Sequence, residues 1–305
     1  MILFIIYIPF RIFGQSETPS IFSFKWSNDF MDNTDYYYTN GFYIQFVTNK
    51  EKRNPVNNLF FSLKNSDVKL YAVTLIQDIY TPKNKFYIPA QLNGDRPFAA
   101  YILLGFVKAE FNSFNNIELI SELKTGVLGP AAFGEETQNG IHSLLPTSAE
   151  VEGWENQINN SFMLNYFVEV KKFYHISKAL IFSGFAETRL GLPFTNAGIG
   201  ASVQIGLFNP LTKRYHFTDS DNFQIYFSFT CKGKIIGYNA TLQGGLFTKS
   251  AYTLDKINRF IGYADIGGTI IYKSFNFEYI QHFNTPEFPD AFGHSWGSLL
   301  LSVKL

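Results

Sequence analysis

Apolar and polar residues alternate with a period of two through most of this chain, and the alternating runs are long. In Phe22-Ser23-Phe24-Lys25-Trp26-Ser27 aromatic side chains alternate with polar ones. Leu164, Tyr166, Val168 and Val170 alternate with Asn165, Phe167, Glu169 and Lys171. Phe223, Ile225, Phe227 and Phe229 alternate with Gln224, Tyr226, Ser228 and Thr230, and Leu299, Leu301, Val303 and Leu305 close the chain in the same way. A period of two sends successive side chains to opposite faces of a strand. Strands of soluble sandwiches run to about 5–6 residues, whereas a tilted strand crossing a bilayer needs about 9–11. Twelve such runs are expected, at 21–29, 37–49, 66–80, 96–112, 116–128, 162–177, 179–190, 196–208, 222–239, 257–272, 274–284 and 293–305. An even number of antiparallel strands closes on itself and leaves no edge unpaired in lipid. The expected fold is therefore all-β: a 12-stranded antiparallel transmembrane β-barrel occupying residues 16–305 as one domain, with a short helical segment in a long extracellular loop.

Composition supports the barrel over its competitors. Aromatic residues make up 18% of the chain and charged residues only 16%, against about a quarter charged in soluble domains. Mean hydropathy is −0.03, and no apolar run approaches the roughly 18 residues of a membrane helix. Alternation dilutes the apolar residues and accounts for both facts. Net charge is zero, so no long-range field draws the chain to nucleic acid. Cys231 is the only cysteine, which excludes an intramolecular disulfide, and on the apolar face of a strand it reads as a small buried hydrophobe. The apolar run Met1–Phe10 is too short to span a bilayer and reads as the core of a secretory signal, whole or truncated, within residues 1–15.

With both termini on the periplasmic side, odd-numbered connections lie outside the cell. Connection 1 (28–41), connection 3 (82–97) and connection 5 (129–160) hold the clusters of polar residues, so these gather at one rim. The long connection 50–65 lies at the other rim and carries no evident chemistry. Within connection 5, Gly134 and Pro146 bracket a helix on which Glu135, Gln138 and His142 share a face. His142 reads either as a general base for water or as a solvated helix histidine. His175, His216, His282 and His294 read as structural. Asn28-Asp29 reads as a hard-cation site, with Gln138 and loop carbonyls as further oxygens, or as an Asx turn. Thr39 would bond a ligand or cap its strand. Lys83 and Lys85 would meet phosphate or be solvated loop lysines, and Asp95-Arg96 reads as an internal salt bridge at a strand entrance.

Several ordered segments carry a resemblance. They are Asn28-Asp29, Thr34-Asp35-x-Tyr37-Tyr38-Thr39-Asn40-Gly41, Gln77-Asp78-Ile79-Tyr80-Thr81-Pro82, Asp95-Arg96-Pro97-Phe98-Ala99, Gly129-Pro130 through Glu136-x-Gln138-Asn139-x-x-His142, and Gly153-Trp154-x-Asn156-Gln157. In these the chain resembles the outer-membrane lipid A 3′-O-deacylases (LpxR-like). The resemblance implies hydrolysis of an ester-linked acyloxyacyl chain of lipid A at the outer leaflet of the bacterial outer membrane, dependent on Ca2+, with the active site at the extracellular rim. Carried over, it makes His142 the general base. It puts Asn28 and Asp29 at the metal and oxyanion region, Gln138 beside them and Thr39 nearby. It also implies a loop lysine, Lys83 or Lys85, and a metal-binding glutamate, for which Glu150 is the nearest candidate. Tyr36 stands where many relatives carry arginine. The implied partners are lipid A or lipopolysaccharide and outer-membrane lipids, with no nucleic acid and no obligatory protein partner. The competing readings are a non-enzymatic pore or surface-binding barrel, and an esterase acting on phospholipid.

Overall fold

A computed structural model describes residues 20–32, 34, 36–50, 54–83, 94–143, 151–211 and 223–305. The expected leader at 1–15, and with it Lys85, Glu150 and His216, lie outside the described residues. The chain forms β1 (Ile21–Asn28), β2 (Tyr37–Thr48), β3 (Val68–Thr81), β4 (Ala99–Asn112), β5 (Ile117–Leu128), β6 (Ser161–Ser177), β7 (Leu180–Gly191), β8 (Phe194–Leu207), β9 (Gln224–Asn239), β10 (Phe260–Tyr272), β11 (Phe275–Asn284) and β12 (His294–Lys304). Each strand pairs antiparallel with its sequence neighbours, and β1 closes the barrel on β12 from Ile21↔Lys304 to Asn28↔Gly297. All twelve expected strands are present, with ends displaced by a few residues.

Alternation sorts the side chains as the sequence demands. Phe22, Phe24, Ile44, Phe46, Leu75 and Leu104 point outward and are exposed, which is the surface a bilayer would cover; Cys231, expected to be buried, is exposed as well, on the same outer face as Phe227 and Phe229. The inner face is polar. Ser23 meets Ser302 at 2.9 Å, Lys124 meets Glu122 at 2.8 Å, and Lys234 pairs with Glu187 across β9 and β7. Ser23, Ser302, Lys124 and Lys234 line a lumenal cavity of about 1050 Å³.

The two rims differ. At the lower rim the start of β1 meets the end of β12, with the Leu305 amide donating to the Ser20 carbonyl at 2.8 Å. Connection 50–65 also lies here, in part as a 3-10 turn over Pro55–Leu59. It folds up along the outer wall, where Tyr166 Oη donates to the Leu59 carbonyl at 2.8 Å and the Leu63 amide donates to Glu110. The excess length thus buttresses the wall. At the upper rim the connections close over the mouth. Helix α1 (Gly134–Ser143) belongs to the β5–β6 connection, and the single turn α2 (Ala240–Gln243) follows β9.

The closure turns on Arg96, which is fully buried. Its guanidinium donates to Thr241 Oγ1 of α2 at 3.1 Å and to Glu287 Oε2 at 3.3 Å, and lies 4.3 Å over the Tyr80 ring. Burial pushes its pKa down, and the Glu287 carboxylate opposes that shift. The expected salt bridge within Asp95-Arg96 is not what forms: Asp95 instead accepts from the Arg96 and Lys83 backbone amides. The structural role stands but the partner is 191 residues away, because a planar guanidinium reaches across the mouth more easily than back onto its own neighbour. Tyr37, Leu242, Leu254, Ile257 and Phe288 pack as an apolar layer around this closure.

Candidate functional site on the outer wall

Connection 5 does not stand up from the rim. It folds down onto the outside of the barrel. Ile79 and Ala100, outward-facing on β3 and β4, are fully buried beneath Ala132, Val151 and Trp154 of this connection. Gln77, also outward-facing, donates from Nε2 to the Ala132 carbonyl at 2.7 Å and to Thr137 Oγ1 at 3.1 Å. Helix α1 is therefore docked on the lipid-side face of β3 and β4. Gly134 permits the approach, since a Cβ there would sit 2.4 Å from the Ala100 Cβ and 2.8 Å from the Trp154 ring.

Gln138 and His142 fall on this helix as the sequence pattern required. Gln138 is buried, and its Oε1 accepts from Trp154 Nε1 at 3.0 Å. Its Nε2 is buried with no hydrogen-bond partner among the described residues, an arrangement that leaves one directed donor unused. His142 is partly exposed in the last turn of α1, and Glu135 of the same helix is exposed.

Sheet register carries the other residues to the same strip of wall. Asn28 pairs with Asn40, Asn40 with Ile79, and Ile79 with Ala100. These four form one row across β1–β4, and strand spacing puts Asn28 roughly 10 Å from Ile79, beneath the helix. Asn40 Oδ1 accepts from Trp26 Nε1 at 3.2 Å, which fixes both on the outer face. Thr39 sits at a β-bulge, where the β2–β3 register shifts between Tyr38 and Asn40. Its hydroxyl donates to the Ile79 carbonyl at 3.2 Å. Bulges re-aim side chains and recur beside functional sites. Two non-glycine residues with left-handed backbone, Tyr37 (φ 66) and Phe133 (φ 57), begin β2 and precede α1, and such strain gathers where function holds it.

Other expected site residues have local partners. The Asn28 Oδ1 accepts from the Phe30 amide at 2.6 Å, an Asx turn. Asp29 is buried in its own connection, where Oδ2 accepts from Thr34 Oγ1 and from the Tyr36 amide, each at 3.0 Å. Lys83 places its ammonium 4.1 Å from the Phe292 ring centroid. Asn28 and Asp29 carry side-chain oxygens, the donor chemistry a hard cation takes, while the Gln138 oxygen already accepts from Trp154. Among the described residues no three His, Cys, Asp or Glu side chains converge on a metal position. Sequence reading gave no role to Gln77 or Trp154. Both lay inside recognised segments, but their work is to hold α1 on the wall, and no local pattern announces that.

Fold and site together define a class: a closed twelve-stranded outer-membrane barrel with a helix laid against its outer face at one rim. The chain belongs to the LpxR family, described as outer membrane protein LpxR, whose model matches residues 1–305. Among solved structures it is similar to LpxR from Salmonella typhimurium, with a TM-score of 0.73 at 21% identity over 93% of this chain and 99% of that one. Weaker likenesses include the KdgM porin (TM-score 0.40, 3% identity, 93% and 99% covered) and the β domain of the Bordetella autotransporter BrkA (TM-score 0.42, 10% identity, 94% and 98% covered). Comparison with curated protein sequences yields no match.

Proposed function

We propose that this barrel is a calcium-dependent lipid A 3′-O-deacylase whose upper rim faces the cell exterior, and that His142 activates the hydrolytic water. The observation that carries the reading is the docking of α1 on the outside of the wall rather than over the lumen. A site in that position meets a lipid substrate lying in the outer leaflet, so the acyl ester reaches it laterally. Phe30 and Phe133, both exposed, stand on either side of this strip and suit contact with acyl chains.

In this reading the His142 imidazole takes a proton from water as the oxygen adds to the ester carbonyl, then returns it to the departing alcohol. Gln138 is held by Trp154 with its amide nitrogen unpaired, so its part is to donate to the oxyanion that develops. Asn28, Asp29 and backbone carbonyls of connection 1 would hold the cation, with Gln138 and Glu150 as further candidate ligands. A bound Ca2+ would polarise the carbonyl and stabilise negative charge on its oxygen. Thr39, re-aimed by the bulge, borders the strip from β2. Lys83 sits at the rim, where phosphate of the lipid A headgroup would lie.

The pore reading is disfavoured by the mouth closure around Arg96. The deciding experiment is mass spectrometry of lipid A from cells carrying the wild type or His142→Ala, in calcium and in chelator. Loss of one acyloxyacyl group with the wild type in calcium alone is expected, with both proteins showing heat-modifiable mobility. Identical lipid A spectra from wild type and variant would sink the mechanism. Fatty acid released from phospholipid but not from lipid A would transfer the site to another ester.

A further inference from the structure

Inside the barrel, three lumen-facing side chains on consecutive strands form a connected chain of hydrogen bonds. Asp265 of β10 and His282 of β11 are direct register partners, and Asp265 Oδ1 lies 2.7 Å from His282 Nδ1. Ser298 of β12 sits diagonal to His282, whose register partner is Trp296, and its Oγ lies 3.0 Å from His282 Nε2. Trp296 stacks on the imidazole at 5.0 Å and 22°, which sets the plane of the ring. We propose that Asp265, His282 and Ser298 form a second, nucleophilic site in the lumen, which acylates Ser298 from small carboxylic esters and is separate from the site on the outer wall.

The geometry meets the requirements for an activated serine. The carboxylate accepts a hydrogen bond from Nδ1–H, which holds the tautomer whose Nε2 is the acceptor facing the hydroxyl. His282 and Asp265 side chains are 17% and 25% exposed to the cavity, so water reaches the pair. Backbone amides around Ser298 are spent in the β11–β12–β1 ladder. Donors for a developing oxyanion must therefore be side chains. Ser27 supplies one, with its Oγ 2.7 Å from Ser298 Oγ, and Lys25 lines the cavity two residues along the same face of β1. As Ser298 Oγ adds to the carbonyl carbon, its proton passes to His282 Nε2. That proton then leaves with the alcohol as the C–O bond breaks, and water entering by the same route releases the acid and restores the serine.

Access sets the substrate class. The cavity runs from Glu287 and His294 below the closed mouth to Ile21, Lys273 and Lys304 at the lower rim. Six residues of β12 separate Ser298 from Lys304, roughly 20 Å of strand. Ser298 lines this cavity but is only 2% exposed, so an ester entering from the lower rim must be small to meet its hydroxyl. A long acyl chain would have to lie along a charged wall bearing Lys25, Lys232 and Asp265.

Two probes test the assignment on the folded full-length protein in detergent: diisopropyl fluorophosphate, and p-nitrophenyl acetate. With the first, Ser298 Oγ forms the O–P bond, fluoride leaves and His282 takes the proton. Peptide mass spectrometry should place the diisopropylphosphoryl group on Ser298. Ser298→Ala should abolish the label, and His282→Ala or Asp265→Asn should slow labelling and ester turnover at least about 100-fold, the scale of a lost general base. Ser298→Cys should keep the position reactive, which separates loss of the nucleophile from loss of fold. His142→Ala should label like the wild type, so failure of the outer-wall mechanism leaves this result standing. A correctly folded wild type that takes no label, or takes it on Ser27 alone, overturns the proposal.

Discussion

Gln138 and Trp154 are joined by a buried hydrogen bond, indole Nε1 to amide Oε1 at 3.0 Å, and through it helix α1 is fixed to the barrel wall. Trp154 also packs on Phe98 at 5.0 Å between ring centroids. The pair therefore ties α1, the segment returning to β6 and the top of β4 into one unit.

Breaking that unit should cost activity before it costs the barrel. Trp154→Phe leaves the Gln138 carbonyl oxygen buried and unpaired, about 1–3 kcal/mol against the docked helix. Gly134→Ala drives a methyl group into Ala100 and Trp154. Both variants should keep heat-modifiable mobility while deacylating lipid A at least tenfold more slowly. Protease cutting within connection 5 should become faster. Full activity with an undocked helix would show that the wall is not part of the site.

The mouth closure makes a separate expectation. Arg96→Ala strands Glu287 and Thr241 without their partner and opens space above Tyr80. Removing one member of a buried ion pair destabilises by roughly 3–5 kcal/mol, here toward the low end because Glu287 keeps some solvent contact. Planar-bilayer recordings should show the wild type silent and the variant conducting. Open-channel currents from the wild type would mean that the closure does not hold in a membrane.

Lys83 offers a way to test how the headgroup is read. Its ammonium rests on Phe292, an exposed cation–π contact of about 0.5–1 kcal/mol, weak enough to exchange for phosphate. Lys83→Ala should therefore raise KM for phosphorylated lipid A several-fold and leave dephosphorylated lipid A almost unaffected. Barrel stability should not change. An equal loss on both substrates would assign Lys83 to the chemical step instead.

The strands were legible because a wall between lipid and water imposes period-two alternation on each residue separately. Helix α1 was legible too, from Gly134 and the spacing of Glu135, Gln138 and His142. What was not legible is where that helix lies. A connection of about 30 residues can stand above a rim, enter a lumen or fold down the outside, and each choice satisfies the same local pattern. The decision rests on Gln77, Ile79 and Ala100, which read simply as outward strand residues. Asp29 read from the sequence as a candidate cation ligand, and in the structure its carboxylate also accepts from Thr34 and the Tyr36 amide within its own turn. For His282, residue type and parity were in plain view, but its partners lie 17 residues before and 16 after it. Only the register of three strands brings them together.

By itself, then, the sequence determined a closed β-barrel of twelve strands, the rim on which its polar connections gather, and the helix that bears His142. These follow from chemistry that acts over a few residues: alternation, turn residues and helical periodicity. Tertiary structure alone decided that the helix lies on the outer face, that Arg96 seals the mouth with Glu287, and that Asp265, His282 and Ser298 meet in the lumen. Those are contacts between side chains far apart in the chain, and their distances are set by how strands register and close, which no short stretch of sequence encodes.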